Sequence, residues 1–176
     1  HSNIIRMDRY LYPHIKKDLS EKMVFIGGPR QVGKTTLSLQ FLESGTEKHP
    51  AYLNWDSPVI RKDLLAGQLP TKQKLLIFDE IHKYKNWKSL IKGFYDLNKS
   101  DTQILVTGSA RLDYFRKGGD SLQGRYHYYR LHPLSLDEIS PDYSSSSVPD
   151  LLQFGGFPEP QIKANKTHWK RWERER

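Results

Sequence analysis

Short apolar runs separated by longer amphipathic stretches set the pattern of this chain. Met23-Val24-Phe25-Ile26, Ala51-Tyr52-Leu53-Asn54-Trp55, Leu75-Leu76-Ile77-Phe78 and Gln103-Ile104-Leu105-Val106-Thr107 are such runs. Segments apolar almost throughout, rather than alternating, suit strands buried on both faces of a parallel sheet. Arg125 to Leu131 reads as a fifth strand, because its three tyrosines suit a pleated surface. Between the runs, Lys34 to Glu43 reads as a helix, and Pro58 to Ala66 as another, closed by Gly67. Trp87, Leu90, Ile91, Phe94, Tyr95 and Leu97 recur at helical spacing, so a third helix is expected to pack on the sheet. Strands alternating with helices predict an α/β fold with a parallel sheet of about five strands.

After Leu136-Asp137-Glu138-Ile139 the pattern changes. Ser140-Pro141-Asp142-Tyr143 and the four serines that follow read as a flexible connection. Beyond it come an apolar segment at Leu151–Phe154, the turn-rich Gly155-Gly156-Phe157-Pro158 and a basic, Trp-containing helical tail. Trp169 and Trp172 share a helix face, which marks burial; mixed with lysine and arginine, such residues also occur in single-strand binders. The expected organisation is one domain over 4–140, then a linker and the start of a truncated C-terminal region over 141–176. His1-Ser2-Asn3, without an initiator Met, reads as a remnant of an expression tag and is set aside.

Composition removes several function classes. A chain of 176 residues with 36% hydrophobic and 27% charged positions can bury a domain-sized core. No apolar run approaches the roughly 18 residues of a membrane span, and no secretory signal layout is present, so a cytoplasmic protein is expected. The absence of cysteine excludes disulfides and thiolate metal sites, and the seven histidines form no spaced ligand set. A net charge of +8 favours polyanion partners, nucleic acid among them, against the plainer reading of solvated lysines.

Chemistry concentrates first at Gly28-Pro29-Arg30-Gln31-Val32-Gly33-Lys34-Thr35, a complete G-x-x-x-x-G-K-[ST] phosphate-binding loop continued by Thr36. Gly28 and Gly33 let the backbone bend around a phosphate with no Cβ in the way. Lys34 offers charge to the β- and γ-phosphates, and the Thr35 hydroxyl can hold Mg²⁺. The loop falls between a strand and a helix start, where free backbone N–H groups favour an anion. A nucleotide, ATP with Mg²⁺, is the expected ligand.

The third strand runs into Asp79-Glu80. Asp79 can hold the Mg²⁺ hydration shell, while Glu80 can orient or deprotonate an attacking water, which favours hydrolysis over phosphoryl transfer to a second acceptor. The fourth strand ends in Thr107-Gly108-Ser109. If that strand lies between the first and third, Thr107 or Ser109 comes near the γ-phosphate, although Ser109 could equally cap the next helix. Arg125 follows Gly124 at the start of the fifth strand. It can offer a bidentate fork to phosphate, in a homo-oligomer to a neighbouring subunit's nucleotide, or form a local salt bridge.

With these residues in place the chain resembles the AAA-type P-loop ATPases of bacteria and archaea that carry an uncharacterised C-terminal domain. The resemblance rests on the phosphate loop through Leu37, Tyr52-Leu53-Asn54-Trp55-Asp56-Ser57-Pro58 and Ile77-Phe78-Asp79-Glu80-Ile81-His82-Lys83. It continues in Thr107-Gly108-Ser109, Gly124-Arg125-Tyr126, Leu131-His132-Pro133-Leu134-Ser135 and Gly155-Gly156-Phe157-Pro158-Glu159-Pro160. It implies a three-layer P-loop NTPase with sheet order 5-1-4-3-2 and an ATPase in which Lys34, Thr35, Asp79 and Glu80 take the usual roles. It further implies Ser109 as the sensor residue, Arg125 as an arginine finger, and a long region following Arg176 that includes a lid.

Two other readings remain open. Asp79-Glu80-Ile81-His82 matches a D-E-x-H box, which would make the chain part of a nucleic-acid helicase, against which stands the short spacing from Lys34. A slow nucleotide-dependent switch would keep every site residue, with His82 reporting phosphate status to a partner. Tyr10, ahead of the first strand, could stack on adenine or pack on a helix.

Overall fold

The computed structural model describes residues 8–70, 72–98, 101–109, 112, 122–139 and 147–175. Its centre is a five-stranded sheet of β1 (Met23–Gly27), β2 (Tyr52–Asn54), β3 (Leu75–Asp79), β4 (Gln103–Thr107) and β5 (Tyr126–Arg130). The strands lie in the order β2-β3-β4-β1-β5 and every neighbouring pair is parallel. This is the expected 5-1-4-3-2 order read from the other edge. The middle strands are apolar on both faces because both faces are covered: Ile26, Ile77, Phe78, Leu105 and Val106 are all fully buried.

Helices α1 (Tyr12–Asp18), α2 (Lys34–Leu39), α3 (Pro58–Leu65) and α4 (Trp87–Asn98) surround the sheet. The connection from β1 to β2 runs in the direction opposite to the connections from β2 to β3 and from β3 to β4. Right-handed crossovers therefore put α2 on one face and α3 and α4 on the other, which makes three layers. On the α4 side, the Trp87 ring lies 5.8 Å from Phe25, and Phe94 lies 5.9 Å from Phe78.

Several boundaries differ from the sequence reading. The helix after the phosphate loop stops at Leu39, because Gln40 and Phe41 donate to carbonyls only three residues back, at Leu37 and Ser38. That tighter winding closes the helix before Glu43. In α4, Trp87, Ile91, Phe94 and Tyr95 are buried as the spacing predicts, but Leu97 is 83% exposed, having rotated off the buried stripe. Helix α1 was not anticipated; its seven residues carry too little periodicity to read, yet Ile15 is fully buried and Tyr12 stacks on Phe41 at 4.4 Å.

The chain continues through α5 (Leu136–Ile139), α6 (Ser147–Phe154), α7 (Pro158–Lys163) and α8 (Lys166–Glu175). The predicted connection over 140–146 lies outside the described residues. Phe157 and Trp172, 5.2 Å apart, join the main buried cluster, so Trp172 is core while Trp169 stays half-buried. The Leu134 N–H donates to the Gly156 carbonyl at 2.6 Å, which ties the segment after β5 to the turn before α7. Among the described residues no helix is long and apolar enough to cross a membrane.

Candidate functional site

The strand register lines up the carboxyl ends of the sheet: Asn54 is opposite Asp79, Asp79 opposite Thr107, and Ile26 opposite Thr107. In open parallel sheets this edge is where ligands bind. The phosphate loop leaves β1 here. Gly28 has φ of +149°, and a Cβ on it would collide with the Leu131 carbonyl oxygen. Gly33, with φ of +92°, is the residue from which α2 starts. Gln31 adopts φ of +61°, a strained value for a residue with a side chain. Left-handed residues alternating with ordinary ones gather successive backbone N–H groups into a concavity that suits an anion.

Lys34 lies back over this loop, with Nζ donating to the carbonyls of Gly28 at 3.1 Å and Pro29 at 2.5 Å. Burial pulls its pKa below the ordinary lysine value, and the nearby carboxylates of Glu80 and Asp79 work the other way. Among the described residues its hydrogen bonds go to carbonyls, which leaves the buried ammonium poised to take a stronger, anionic partner.

Asp79 is 4% exposed, and three hydroxyls satisfy it. Thr35 Oγ1 donates to Oδ2 at 2.9 Å, Tyr52 donates to the same oxygen at 2.5 Å, and Thr107 Oγ1 donates to Oδ1 at 2.5 Å. Hydrogen bonds to a charged group contribute about 1.5–3 kcal/mol each, enough to hold this carboxylate at one orientation despite burial. Burial, followed by the Asp79 contact, pushes the Tyr52 phenol well above its ordinary pKa, so it remains a donor.

Glu80 breaks out of the strand line with φ of +57°, while its N–H still donates to the Thr107 carbonyl at 3.1 Å. The following 3₁₀ turn (Ile81–Lys83) returns two side chains to it. Lys83 Nζ lies 3.3 Å from Glu80 Oε2 and 2.6 Å from Asp56 Oδ2, and His82 Nε2 lies 3.8 Å from the same Glu80 oxygen. The Asp56 contact, more than that of Glu80, raises the Lys83 pKa. Ser109 Oγ lies 3.1 Å from His82 Nε2, so the end of β4 meets Glu80 through the His82 ring.

Two clefts meet at these residues. One, of about 820 Å³, is lined by Arg30, Thr35, Tyr52, Asp56, Asp79 and Lys83 among others. The other, of about 580 Å³, lies over the phosphate loop between Gln31, Lys34 and Thr35 on one side and Pro158, Ile162 and Lys163 of α7 on the other. Glu80 lines both.

Residues 20–140 match the protein family described as an AAA domain. The chain belongs to this family. It is 28% identical over 138 residues to an uncharacterized protein of Mycobacterium tuberculosis and equally to one of Mycobacterium bovis. Those matches cover 77% of this chain and 30% of each relative, so the chain spans under a third of their length. Among solved structures, the RuvB Holliday junction branch migration motor of Thermotoga maritima is similar with a TM-score of 0.54 at 18% identity, over 86% of this chain and 59% of that one. A signal transduction ATPase with numerous domains and a tetratricopeptide repeat sensor, from Pyrococcus horikoshii, gives a TM-score of 0.52 at 13% identity, covering 88% and 29%. Both share the fold.

In this AAA domain the nine phosphate-loop residues, Asp79, Glu80 and Ser109 all lie at the carboxyl edge of the sheet. Arg125 does not. Its carbonyl accepts from Met23 N–H at the start of β1, so it stands at the opposite end, about 16 Å away at 3.3 Å per residue over five strand residues. There its Nε lies 3.1 Å from Asp96 Oδ1 in a partly exposed pair, the local salt bridge named among its readings. Tyr10 is half-exposed and lines neither cleft; its N–H donates to Glu138 at 3.1 Å.

The donor set fits Mg²⁺ rather than a softer metal. Thr35 and Asp79 supply hard oxygens side by side, and Mg²⁺ commonly takes one or two carboxylates plus phosphate oxygens and water. Among the described residues no group of three or more His, Cys, Asp or Glu could hold a metal alone.

Sequence reasoning missed Tyr52, Lys83, Asp56 and Arg9. The first three stood inside quoted motifs, but a strand tyrosine and turn charges carry no spacing signal for their partners. Arg9 stands beside Tyr10 in the Arg9-Tyr10-Leu11 segment ahead of the first strand, but nothing in that spacing marks its partners. It is 5% exposed, donates to the carbonyls of Val32 in the phosphate loop at 3.2 Å and His132 at 2.5 Å, and pairs with buried Glu138 at 2.9 Å.

Proposed function

We propose that this AAA domain binds ATP with Mg²⁺ and hydrolyses it. The observation that carries the reading is the convergence, at one sheet edge, of a phosphate loop with a buried lysine, a fixed carboxylate and a more exposed second carboxylate. In this reading the loop N–H groups and Lys34 hold the β- and γ-phosphates, and Lys34 exchanges its carbonyl partners for phosphate oxygens. Thr35 and Asp79 hold Mg²⁺, which supplies charge neutralisation to the phosphates. Glu80 accepts a proton from the attacking water. Ser109, through His82, senses whether the γ-phosphate is present. Arg125, at the far end of the sheet and paired with Asp96, is barred from its own nucleotide and would act on phosphate only in a neighbouring subunit.

The reading is tested by equilibrium binding of ATP to the wild-type chain and to Lys34→Ala. Loss of a charge-assisted contact of about 2 kcal/mol weakens binding about 30-fold. Equal affinity would refute the assignment of the phosphate site.

One observation favours a polyanion as second partner. With Trp172 turned into the core, α8 leaves Lys166, Lys170, Arg171 and Arg174 exposed, on a chain of net charge +8. Turnover in the presence of single- or double-stranded DNA then rises and the rise falls steeply with salt. Unchanged turnover would assign the charge to solvation.

A further inference from the structure

We infer that Tyr52 and Thr107 are positioning residues for the metal-binding carboxylate, holding Asp79 from its two sides before any metal arrives. This rests on the Mg²⁺ role proposed above for Asp79. The topology supplies the two sides. Strand β3 lies between β2 and β4, and Tyr52 comes from β2 while Thr107 comes from β4. Tyr52 donates to Oδ2 at 2.5 Å and Thr107 donates to Oδ1 at 2.5 Å, so each carboxylate oxygen has a fixed donor from a different neighbouring strand. Both donors are buried, and Thr107 is fully so.

The third donor is of another kind. Thr35 also donates to Oδ2, at 2.9 Å, but its hydroxyl is the one that would turn to the metal. When it does, Asp79 loses one hydrogen bond and would be free to rotate if Thr35 were its main support. Tyr52 and Thr107 prevent that rotation. Partners behind a metal ligand commonly change metal affinity 10–100-fold when removed. A purely packing role for the Tyr52 ring would not need its hydroxyl, since the ring itself is already covered by the core cluster.

The test reads metal dependence and not turnover. A fluorescent ATP analogue is titrated against the full chain in a chelator and over a Mg²⁺ series, for wild type, Tyr52→Phe, Thr107→Val and Thr107→Ser. We expect Tyr52→Phe and Thr107→Val to raise the Mg²⁺ concentration for half-maximal tightening about 10-fold. Their affinity in chelator should match wild type, and Thr107→Ser, which keeps the hydroxyl, should restore the wild-type midpoint. An unchanged Mg²⁺ midpoint in a folded Tyr52→Phe or Thr107→Val would overturn the inference while leaving nucleotide binding intact. If either variant fails to fold, the other carries the test alone. Failure of the wild type to bind the analogue, or wild-type binding by Lys34→Ala, would instead sink the underlying reading.

Discussion

The Thr35 hydroxyl lies 2.9 Å from a carboxylate oxygen of Asp79, although 44 residues separate them in sequence. One comes from the first turn of α2 and the other from the end of β3, so the contact exists only because β3 and β1 both flank β4. Asp79→Asn keeps the shape of that side chain and removes its charge. Mg²⁺ should then no longer tighten ATP binding, while affinity in chelator stays near wild type; a binding titration with and without Mg²⁺ checks both halves.

Lys83 bridges Asp56 and Glu80, and the shorter contact is the one to Asp56. A tethered lysine limits where the Glu80 carboxylate can go. Orientation errors of an ångström cost up to about 10²-fold in rate, so Lys83→Met should lower kcat about 10-fold with KM little changed. Lys83→Arg should recover much of it. A rise in KM instead would place Lys83 in substrate binding.

Arg9 and Glu138 form a buried pair, their side chains 5% and 2% exposed. Desolvation pulls the Arg9 pKa down, and Glu138 opposes that shift. Arg9→Ala takes the charge partner from Glu138, which keeps the Tyr10 and Ser135 N–H groups as donors, and removes the bonds to the Val32 and His132 carbonyls, so unfolding free energy should fall by about 1–3 kcal/mol. The double variant Arg9→Met with Glu138→Leu should recover a large part of that loss. Denaturant melts of the three proteins give the comparison.

Arg125 pairs with Asp96 at the edge remote from the phosphate loop, and both side chains are more than a third exposed. Exposed pairs contribute at most about 1 kcal/mol, so Arg125→Ala should leave the melting curve nearly unchanged. If Arg125 serves a neighbouring subunit, specific turnover of the wild type rises with protein concentration and that of Arg125→Ala does not. Parallel concentration curves for the two proteins would end the trans role.

The sheet was legible because buried parallel strands are apolar throughout, and β1, β3 and β4 stand out between turn residues. The phosphate loop and Asp79-Glu80 were legible because backbone geometry and phosphate chemistry demand those residue types at fixed spacing. What the sequence hid was lateral. Tyr52 reads as an ordinary strand aromatic until β2 is laid beside β3. Lys83 and Asp56 stand in separate motifs whose spacing shows no link, and they meet only where the turn after β3 folds toward the turn after β2. Leu97 fitted a helical stripe on paper, yet the stripe drifts around α4 and leaves it in solvent. The place of Arg125 at the far edge followed from its strand being parallel, and its partner Asp96 did not.

A division of labour between Lys34, which binds, and Glu80, which activates water, is the centre of the proposed hydrolysis. Glu80→Gln keeps the size of the side chain and removes its charge, and with it the capacity to accept a proton and the ion pair with Lys83. Steady-state Mg²⁺-ATP turnover should fall by about 10²-fold or more in Glu80→Gln, while ATP affinity stays at the wild-type value. Turnover in Glu80→Gln equal to that of the wild type would contradict the assignment of Glu80 as the water-activating group.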